Sequence, residues 1–398
     1  MPSSEDQELD VTLSEDRYDR LRLIPWWDQE RLRAARVMVV GAGALGNEIL
    51  KNLALLGVGK ILIADLDDIE DTNLTRAILF RKSDTGRAKA EVAAEKVMEI
   101  NPDVTAVAHV GDINYDLGLG VYREMDLVFG ALDNREARVT INANCWKLGI
   151  PWIDGAIEMI QGVARVFVPG ENAPCYECTM SELDYKLLSQ RRSCALLSRD
   201  DVLQGKVPTT PTVASVIGGI QVQEAIKLLH ADRELPTLTG RGYFFNGLTH
   251  DSYLVQYQYR EDCPAHEHMF DIVELDASAG TLTGREMLDV VRRDLGEKAL
   301  VEFERELCTH LTCTQCNEKR EFFCSLGKVK VSDATCPTCG ELCEPSLSHS
   351  LTGGEDYLDR TLAQIGIPRY DIITGRVGLN MKHYLLAADR AAALGAIG

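Results

Sequence analysis

Along residues 36–67 the apolar and polar positions change period twice. Val37–Val40 is an unbroken apolar run between Arg36 and a glycine-rich turn, the pattern of a strand covered on both faces. Leu45, Ile49, Leu53 and Leu56 then recur at helical spacing, and Ile61–Ala64 return to a strand-like run ending at Asp65. A further strand is expected over Leu127–Phe129, followed by a helix carrying Arg135 and Arg138. Residues 212–229, with Val213, Val216, Ile217, Ile220 and Ile226, predict a largely apolar helix that serves the core or a dimer contact. "SYLVQYQYR" (252–260) alternates, with Tyr253, Val255, Tyr257 and Tyr259 on one face, which predicts a half-buried strand finishing a first domain. Thr283 three residues before Glu286 forms a capping-box pattern opening an amphipathic helix. Residues 345–398 read as a helix, a turn and a strand, so the part from 270 to 398 is expected to be α+β.

Composition narrows the partners. The chain has 398 residues, 42 basic against 61 acidic, for a net charge of −19. That balance argues against nucleic acid, which selects a basic face. No apolar run approaches the roughly 20 residues of a membrane span. The first stretch, "MPSSEDQELDVTLSEDRYDR", is acidic and has no apolar centre, unlike a signal peptide, and residues 1–16 read as a flexible lead. Twelve cysteines, several in C-x-x-C pairs, in a chain without an export signal point to metal rather than disulfides, and to a reducing cytoplasm.

The glycine turn carries the first chemistry. Gly41, Gly43 and Gly46 form G-x-G-x-x-G between strand and helix, with Asp65 standing 19 residues after the last glycine. The glycines let backbone approach phosphate, the helix N-terminus supplies amide donors, and the acid suits a ribose hydroxyl. Alone this motif suggests NAD. The residues downstream disfavour it: Asn73 and Arg76 lie just beyond the second strand, Lys89 opens the next helix, and Asp133 with Asn134 comes after the strand at 127–129. Cations neutralise charge developing on a triphosphate and an aspartate can hold magnesium between its oxygens. Hydride transfer has no use for them. The predicted fold class is therefore α/β, a Rossmann-like doubly wound domain with a C-terminal α+β extension.

Metal ligands are spaced in two sets. Cys175 and Cys178 in "PCYEC" have knuckle spacing, and Cys263 and His266 repeat the same gap. Three cysteines and a histidine suit zinc, with His268 a rival for the fourth place. Cys313 and Cys316, then Cys336 and Cys339, are two C-x-x-C pairs separated by 19 residues, as in a zinc ribbon. Gly340 permits the left-handed turn of a knuckle, and Phe322, Phe323, Val329 and Val331 suggest a short hairpin between the knuckles. Cys308, Cys324 and Cys343 are near enough in sequence to substitute. A site closed by four sulfurs is structural. The ribbon region is set at 308–343.

The ordered stretches "RYDRL", "GAGALG", "ADLDDIEDTNLTR", "GRAKAE", "LDNREAR", "PCYEC" and "PTTPTVASVIGGIQVQEAIKLL" resemble the adenylation domain of the ubiquitin-activating-enzyme superfamily. That superfamily includes the bacterial ThiF- and MoeB-like adenylyltransferases of sulfur carriers and the single-chain activating enzyme of ubiquitin-fold modifier. The resemblance covers residues 17–268. It implies that Gly41, Gly43, Gly46, Asp65, Asp67, Asn73, Arg76, Lys89 and Asp133 bind ATP and Mg2+, with Asn134 lining the pocket. It implies that Arg20 is an arginine finger offered to a partner subunit, hence a homodimer, although "RYDRL" lacks the glutamine usual after the second arginine. It also places a second cysteine pair of the family where Cys263 and His266 stand. The implied activity is adenylation of the C-terminal glycine of a ubiquitin-like protein. A thioester on a cysteine and transfer to a conjugating enzyme or target would come next; the alternative is a sulfur-carrier adenylyltransferase that stops at the acyl-adenylate. Where relatives carry a domain recruiting a conjugating enzyme, this chain has its extension. The compact build and diverged motifs suggest a bacterial ubiquitin-like pathway in defence against phage.

Within the crossover loop 179–211, Cys194 is the sole cysteine between Cys178 and the helix beginning at "PTTPTV", with Arg191 and Arg192 beside it. Cations favour the reactive thiolate, and the resemblance makes Cys194 the thioester nucleophile. Cys145, between Ile141 and Leu148 on an apolar helix, is the buried counter-example.

Overall fold

The computed structural model of the chain describes residues 16–193 and 208–398, with backbone alone for residues 187 and 189–193. Continuous apolar runs form the middle of one sheet, as burial on both faces requires. Its strands are β1 (Arg36–Val40), β2 (Lys60–Asp65), β3 (Thr105–Val110), β4 (Leu127–Gly130), β5 (Trp152–Glu158), β6 (Gln161–Phe167), β7 (Arg241–Asn246) and β8 (Ser252–Gln256). Their spatial order is β3-β2-β1-β4-β5-β6-β7-β8. The first five are mutually parallel, and β6, β7 and β8 continue antiparallel. Strand order reverses between β1 and β4, which in a doubly wound sheet opens a crevice beyond the carboxyl ends of the strands.

The helix Pro211–Leu229 lies against β5, β6 and the helix Ala44–Leu56. It belongs to the core: Val213, Ile217, Val222 and Ile226 join the same apolar cluster as Val37, Val39, Leu53 and Ile63. Its buried Gln221 donates through Nε2 to the carbonyls of Gly130 and Ile153 at 3.2 and 3.1 Å, which satisfies the donor end of the amide inside the apolar layer.

A second sheet comes next, built from β9 (Val273–Leu275), β10 (Leu300–Cys313), β11 (Lys319–Ser325), β12 (Cys343–Leu351), β13 (Ile372–Val377) and β14 (Asn380–Leu386). Its order is β11-β10-β13-β14-β9, with β12 also paired to β10. The helix Gly284–Leu295 covers it, capped as its sequence predicts: Thr283 Oγ1 accepts from the Glu286 amide at 3.2 Å and Glu286 Oε2 accepts from the Thr283 amide at 2.8 Å. The two sheets share one apolar cluster, in which Tyr370, Ile372 and Leu385 pack with Met38, Leu62 and Val121. A buried polar bridge crosses the same boundary. Asp371 accepts from the Leu119 amide at 2.7 Å and from Arg305 Nη2 at 3.1 Å, while Arg305 Nη1 donates to the Tyr115 carbonyl at 2.9 Å.

The structure corrects three expectations. Residues 345–398 are not helix, turn and strand. They contain β12 and the hairpin β13–β14, whose turn uses Gly378 at φ 59°, with a short helix Arg390–Leu394 at the end. Strand pairing between distant segments decides this, and local pattern does not carry it. The segment between the knuckles is not a hairpin of its own. Phe322 and Phe323 lie on β11, which pairs back onto β10, and Val331 opens the short helix Val331–Ala334. The strand expected at 252–260 stops at Gln256: the Tyr257 amide still meets the Gly240 carbonyl in register at 2.9 Å, but the Gly240 amide turns away to the Val166 carbonyl at 2.9 Å and the ladder ends there. Nor is one face of it uniformly buried, since Tyr253 is exposed and stacks on Phe244.

Asp371→Ala strands the Arg305 guanidinium in a mostly buried position. Unpairing a buried charge typically costs about 3–5 kcal/mol, so urea unfolding of this variant is expected to show a loss of that order.

Candidate active site and metal centres

The glycine turn is shaped for close approach. Gly41 adopts φ 95°, and a Cβ there would stand 2.5 Å from the Ala131 carbonyl oxygen. A Cβ on Gly46 would meet the Gly41 carbonyl oxygen at 1.9 Å, so the helix packs directly on the turn. Gly43, by contrast, faces open space within 4 Å and is the N-cap of Ala44–Leu56 without a side-chain cap. The helix's first amides thus point beside an unfilled face, the arrangement that receives phosphate.

Asp65, at the end of β2, accepts from the Ala42 amide at 2.6 Å and from the Asp67 amide at 2.8 Å. Burial pushes its pKa above the ordinary carboxylate range, against the opposing pull of Lys89. Asp67 pairs with Lys89 Nζ at 2.8 Å, and the Lys89 amide donates to the Asp67 carbonyl at 2.9 Å. Lys89 is the first residue of the helix Lys89–Ile100 and is itself buried. Asn73 sits on a short helical turn, where its Oδ1 accepts from the Glu70 amide at 3.0 Å. Arg76 donates to the Thr72 carbonyl at 2.7 Å.

After β4, Asp133 and Asn134 are exposed. Asn134 caps the helix Arg135–Leu148, accepting from the Ala137 amide at 2.8 Å, so part of its hydrogen bonding is committed to the fold. Arg135 pairs with Asp184. Arg20 is exposed on the short helix Asp19–Arg22 and has no carboxylate partner among the described residues. Cys194 lies outside the described residues. Cys145 is wholly buried in the core, and burial raises its thiol pKa well above the ordinary value.

Sequence reading missed the charge cluster that holds the Asp133 loop. Asp154, on β5, is fully buried and accepts from Arg138 Nε at 2.8 Å and Arg165 Nη1 at 2.9 Å. Arg138 Nη2 also donates to the carbonyls of Leu132 and Gly155. The signal was an aspartate inside the apolar run "PWIDGA". A buried carboxylate demands partners, and the nearby arginines supply them.

Both predicted ligand sets converge. Cys175, Cys178, Cys263 and His266 form one group, and Cys313, Cys316, Cys336 and Cys339 another, with their donor atoms all within 4.8 Å of one another in each. A tetrahedral zinc with Zn–S of about 2.3 Å puts sulfurs about 3.8 Å apart. The first group has Sγ separations of 3.7 Å (Cys175–Cys178) and 3.6 Å (Cys175–Cys263), with Cys178 Sγ at 3.4 Å from His266 Nε2. The second has 3.4 Å (Cys313–Cys339), 3.6 Å (Cys316–Cys336) and 3.9 Å (Cys316–Cys339). The donor sets fit the ion. Cys178 is held below the ordinary thiol range first by its hydrogen bond with Cys175, and Cys313 first by the backbone amide of Cys316. The Cys175–Cys178 contact pushes the Cys175 thiol up, and Cys263, Cys316 and Cys339 are also raised, so a metal bound by these thiolates displaces protons. His268 is not in the group; its ring lies against Trp146 and Phe270. Cys343 joins the small apolar cluster beside the second set, as does Cys308.

A crevice at the strand-order reversal, a glycine turn open at Gly43, and cations with carboxylates at the strand ends define a nucleotide-binding α/β enzyme of the adenylating, E1-like class. Residues 16–265 match the ThiF family, and the chain belongs to it. It is 35% identical over 236 residues to a protein of Haloferax volcanii named SAMP-activating enzyme E1, covering 59% of this chain and 82% of that one. It is 38% identical over 170 residues to the sulfur carrier protein adenylyltransferase of Thermus thermophilus, covering 41% and 63%. Ubiquitin-like modifier-activating enzyme 5 of Dictyostelium discoideum is 31% identical over 229 residues, covering 53% and 57%. The crystal structure of E. coli MccB with ATP is alike in fold, with a TM-score of 0.53 at 22% identity, covering 64% of this chain and 75% of that one. Among the described residues no helix is long and apolar enough to cross a membrane.

Because burial raises Asp65, its carboxylate takes up a proton at a higher pH than ordinary aspartates and then loses acceptor capacity. ATP affinity, measured by calorimetry from pH 8 downward, is expected to fall as pH drops toward that raised value; affinity unchanged down to about pH 4, near the unperturbed aspartate value, excludes Asp65 as the ribose acceptor. Cys336→Ser is expected to lower bound zinc by about one equivalent in native mass spectra. Cys263→Ser is expected to remove the other equivalent.

Proposed function

We propose that the chain activates the C-terminal glycine of a ubiquitin-like protein by ATP-dependent adenylation. The observation carrying this reading is the joint placement of the Gly43-capped helix, Asp65 and the Lys89–Asp67 pair at neighbouring strand ends. Triphosphate would lie over Gly41 and Gly43, ribose against Asp65, and Arg76, Lys89 and Asn73 beside the phosphates. Asp133 would hold Mg2+, which when bound neutralises charge on the phosphate oxygens. A carboxylate oxygen of the ubiquitin-like protein attacks the α-phosphorus. The bond to the β-phosphate oxygen breaks, and pyrophosphate leaves with that electron pair. The attacking group is already ionised at neutral pH, so positioning and charge neutralisation carry the step without a general base.

In the second step the Cys194 thiolate attacks the acyl carbon, AMP departs and a thioester forms for transfer to a conjugating enzyme or target. Arg20 would complete the site of a partner subunit, making the enzyme a homodimer. Both cysteine-rich clusters would hold structural zinc, the second in a ribbon over 308–343. The similarity to the Thermus sulfur carrier protein adenylyltransferase favours a second reading, in which the reaction ends at the acyl-adenylate.

Pyrophosphate exchange with candidate β-grasp proteins separates these outcomes. The parent enzyme is expected to catalyse exchange and to form a thiol-labile adduct, and Cys194→Ala to abolish the adduct while exchange persists. An adduct that survives the substitution rejects Cys194; exchange without any adduct supports the second reading. Lys89→Ala is expected to reduce exchange by about a hundredfold or more, as loss of a charge-stabilising donor does.

A further inference from the structure

The C-terminal extension touches the nucleotide end of the first sheet at the loop after β3. β3 pairs with β2 so that Val110 stands beside Asp65, and the Gly111 amide donates to the Asp65 carbonyl at 3.3 Å. The next loop closes on Asp116, whose Oδ2 accepts from the Asp112 amide at 3.0 Å. From the extension, Lys328 pairs with the other oxygen of Asp116, and Arg305 Nη1 donates to the Tyr115 carbonyl at 2.9 Å. Gly327 packs so tightly that a Cβ there would stand 2.0 Å from the Tyr115 hydroxyl oxygen. That hydroxyl in turn donates to Glu136 Oε1 at 3.2 Å, in the first turn of the helix that begins just after Asp133 and Asn134. The Leu326–Lys328 turn is itself anchored, because Leu326 and Val329 pack in the apolar cluster that contains Cys313 and Cys336.

One turn of the extension therefore reaches both strand ends that carry the nucleotide carboxylates. Through Asp116 it holds the loop leaving β3 beside Asp65. Through Tyr115 it holds the helix start beside Asp133. We infer that Gly327 and Lys328 are positioning residues for the nucleotide site, and that the extension sets the enzyme's affinity for ATP by bracing the 111–116 loop. This rests on the reading that ATP binds at Gly41, Asp65 and Asp133. The extension then has a role in the adenylation half of the reaction, besides any docking of a downstream protein.

The full chain is titrated with ATP and Mg2+ by calorimetry, with melting temperatures measured in parallel. Gly327→Ala drives a methyl into Tyr115 and is expected to weaken ATP binding about tenfold. Lys328→Ala is expected to weaken it about two- to fivefold, the size of a partly exposed ion pair. Lys328→Arg is expected to restore parental affinity. Lys382→Ala removes a comparable exposed pair, with Asp294, elsewhere in the extension, and is expected to leave ATP affinity unchanged. Parental affinity in both Gly327→Ala and Lys328→Ala overturns the inference, as does equal weakening in Lys382→Ala, which would mark general destabilisation. A parent chain that binds no ATP rejects the nucleotide reading itself, and the inference falls with it.

Discussion

The fully buried carboxylate of Asp154 constrains the architecture around the site. A charge removed from water is tolerated only when opposite charge and hydrogen bonds replace the hydration it loses. Arg138 and Arg165 take one oxygen each, and that requirement ties three elements together. Asp154 belongs to β5, Arg165 to the antiparallel neighbour β6, and Arg138 to the helix after β4. Arg138 passes the constraint on by holding the Leu132 carbonyl next to Asp133. The exposed aspartate proposed for magnesium is thus carried on a loop whose geometry is set from the interior, as preorganised catalysis requires.

A second constraint acts at the boundary between the sheets. The extension is not a bead on a linker, because its Tyr370, Ile372 and Leu385 complete the apolar cluster over one face of the first sheet. Asp371 and Arg305 cross that boundary in a buried bridge. Glu124 adds a more exposed link, pairing with Arg390 at 2.7 Å and accepting from the Tyr370 hydroxyl at 2.7 Å; these partners hold its carboxyl below the ordinary range, Arg390 first. A boundary made of shared core and desolvated charge is stiff, so a displacement of the extension would be felt by the loops of the first sheet.

The two ligand clusters solve different mechanical problems. The first joins the segment after β6 to the segment after β8, with Cys175 and Cys178 on one side and Cys263 and His266 on the other. It lies where the chain leaves the first sheet, once after β6 and finally after β8, packed with Trp146. The second ties the end of β10 to the start of β12, two strands that already pair through Cys313 and Cys343. Each cluster closes a loop of the chain that has little apolar core of its own, which is where a structural metal contributes most to folding.

Much of this was legible in the linear sequence. Glycines at fixed offsets, apolar runs of strand length and a capping box act over a few residues, so the β1–helix–β2 unit and the Thr283 cap read directly. The cysteine spacings were legible for the same reason, since a knuckle is a local turn. Asp154 was only half legible: the sequence marks an acid within an apolar run but does not name its partners, which come from a different strand and a helix. The hairpin β13–β14, the pairing of β11 with β10 and the early end of β8 were not legible, because strand partners far apart in sequence are selected by packing and hydrogen bonding. The sequence by itself determined the doubly wound unit with its glycine turn and the cysteine pairs of both ligand sets, because these depend on local backbone freedom and residue chemistry. Only the tertiary structure decided which charges are buried together, that His266 rather than His268 joins the first cluster, and that Gly327 and Lys328 stand over the loop after β3, because these are contacts between segments that the chain order keeps far apart.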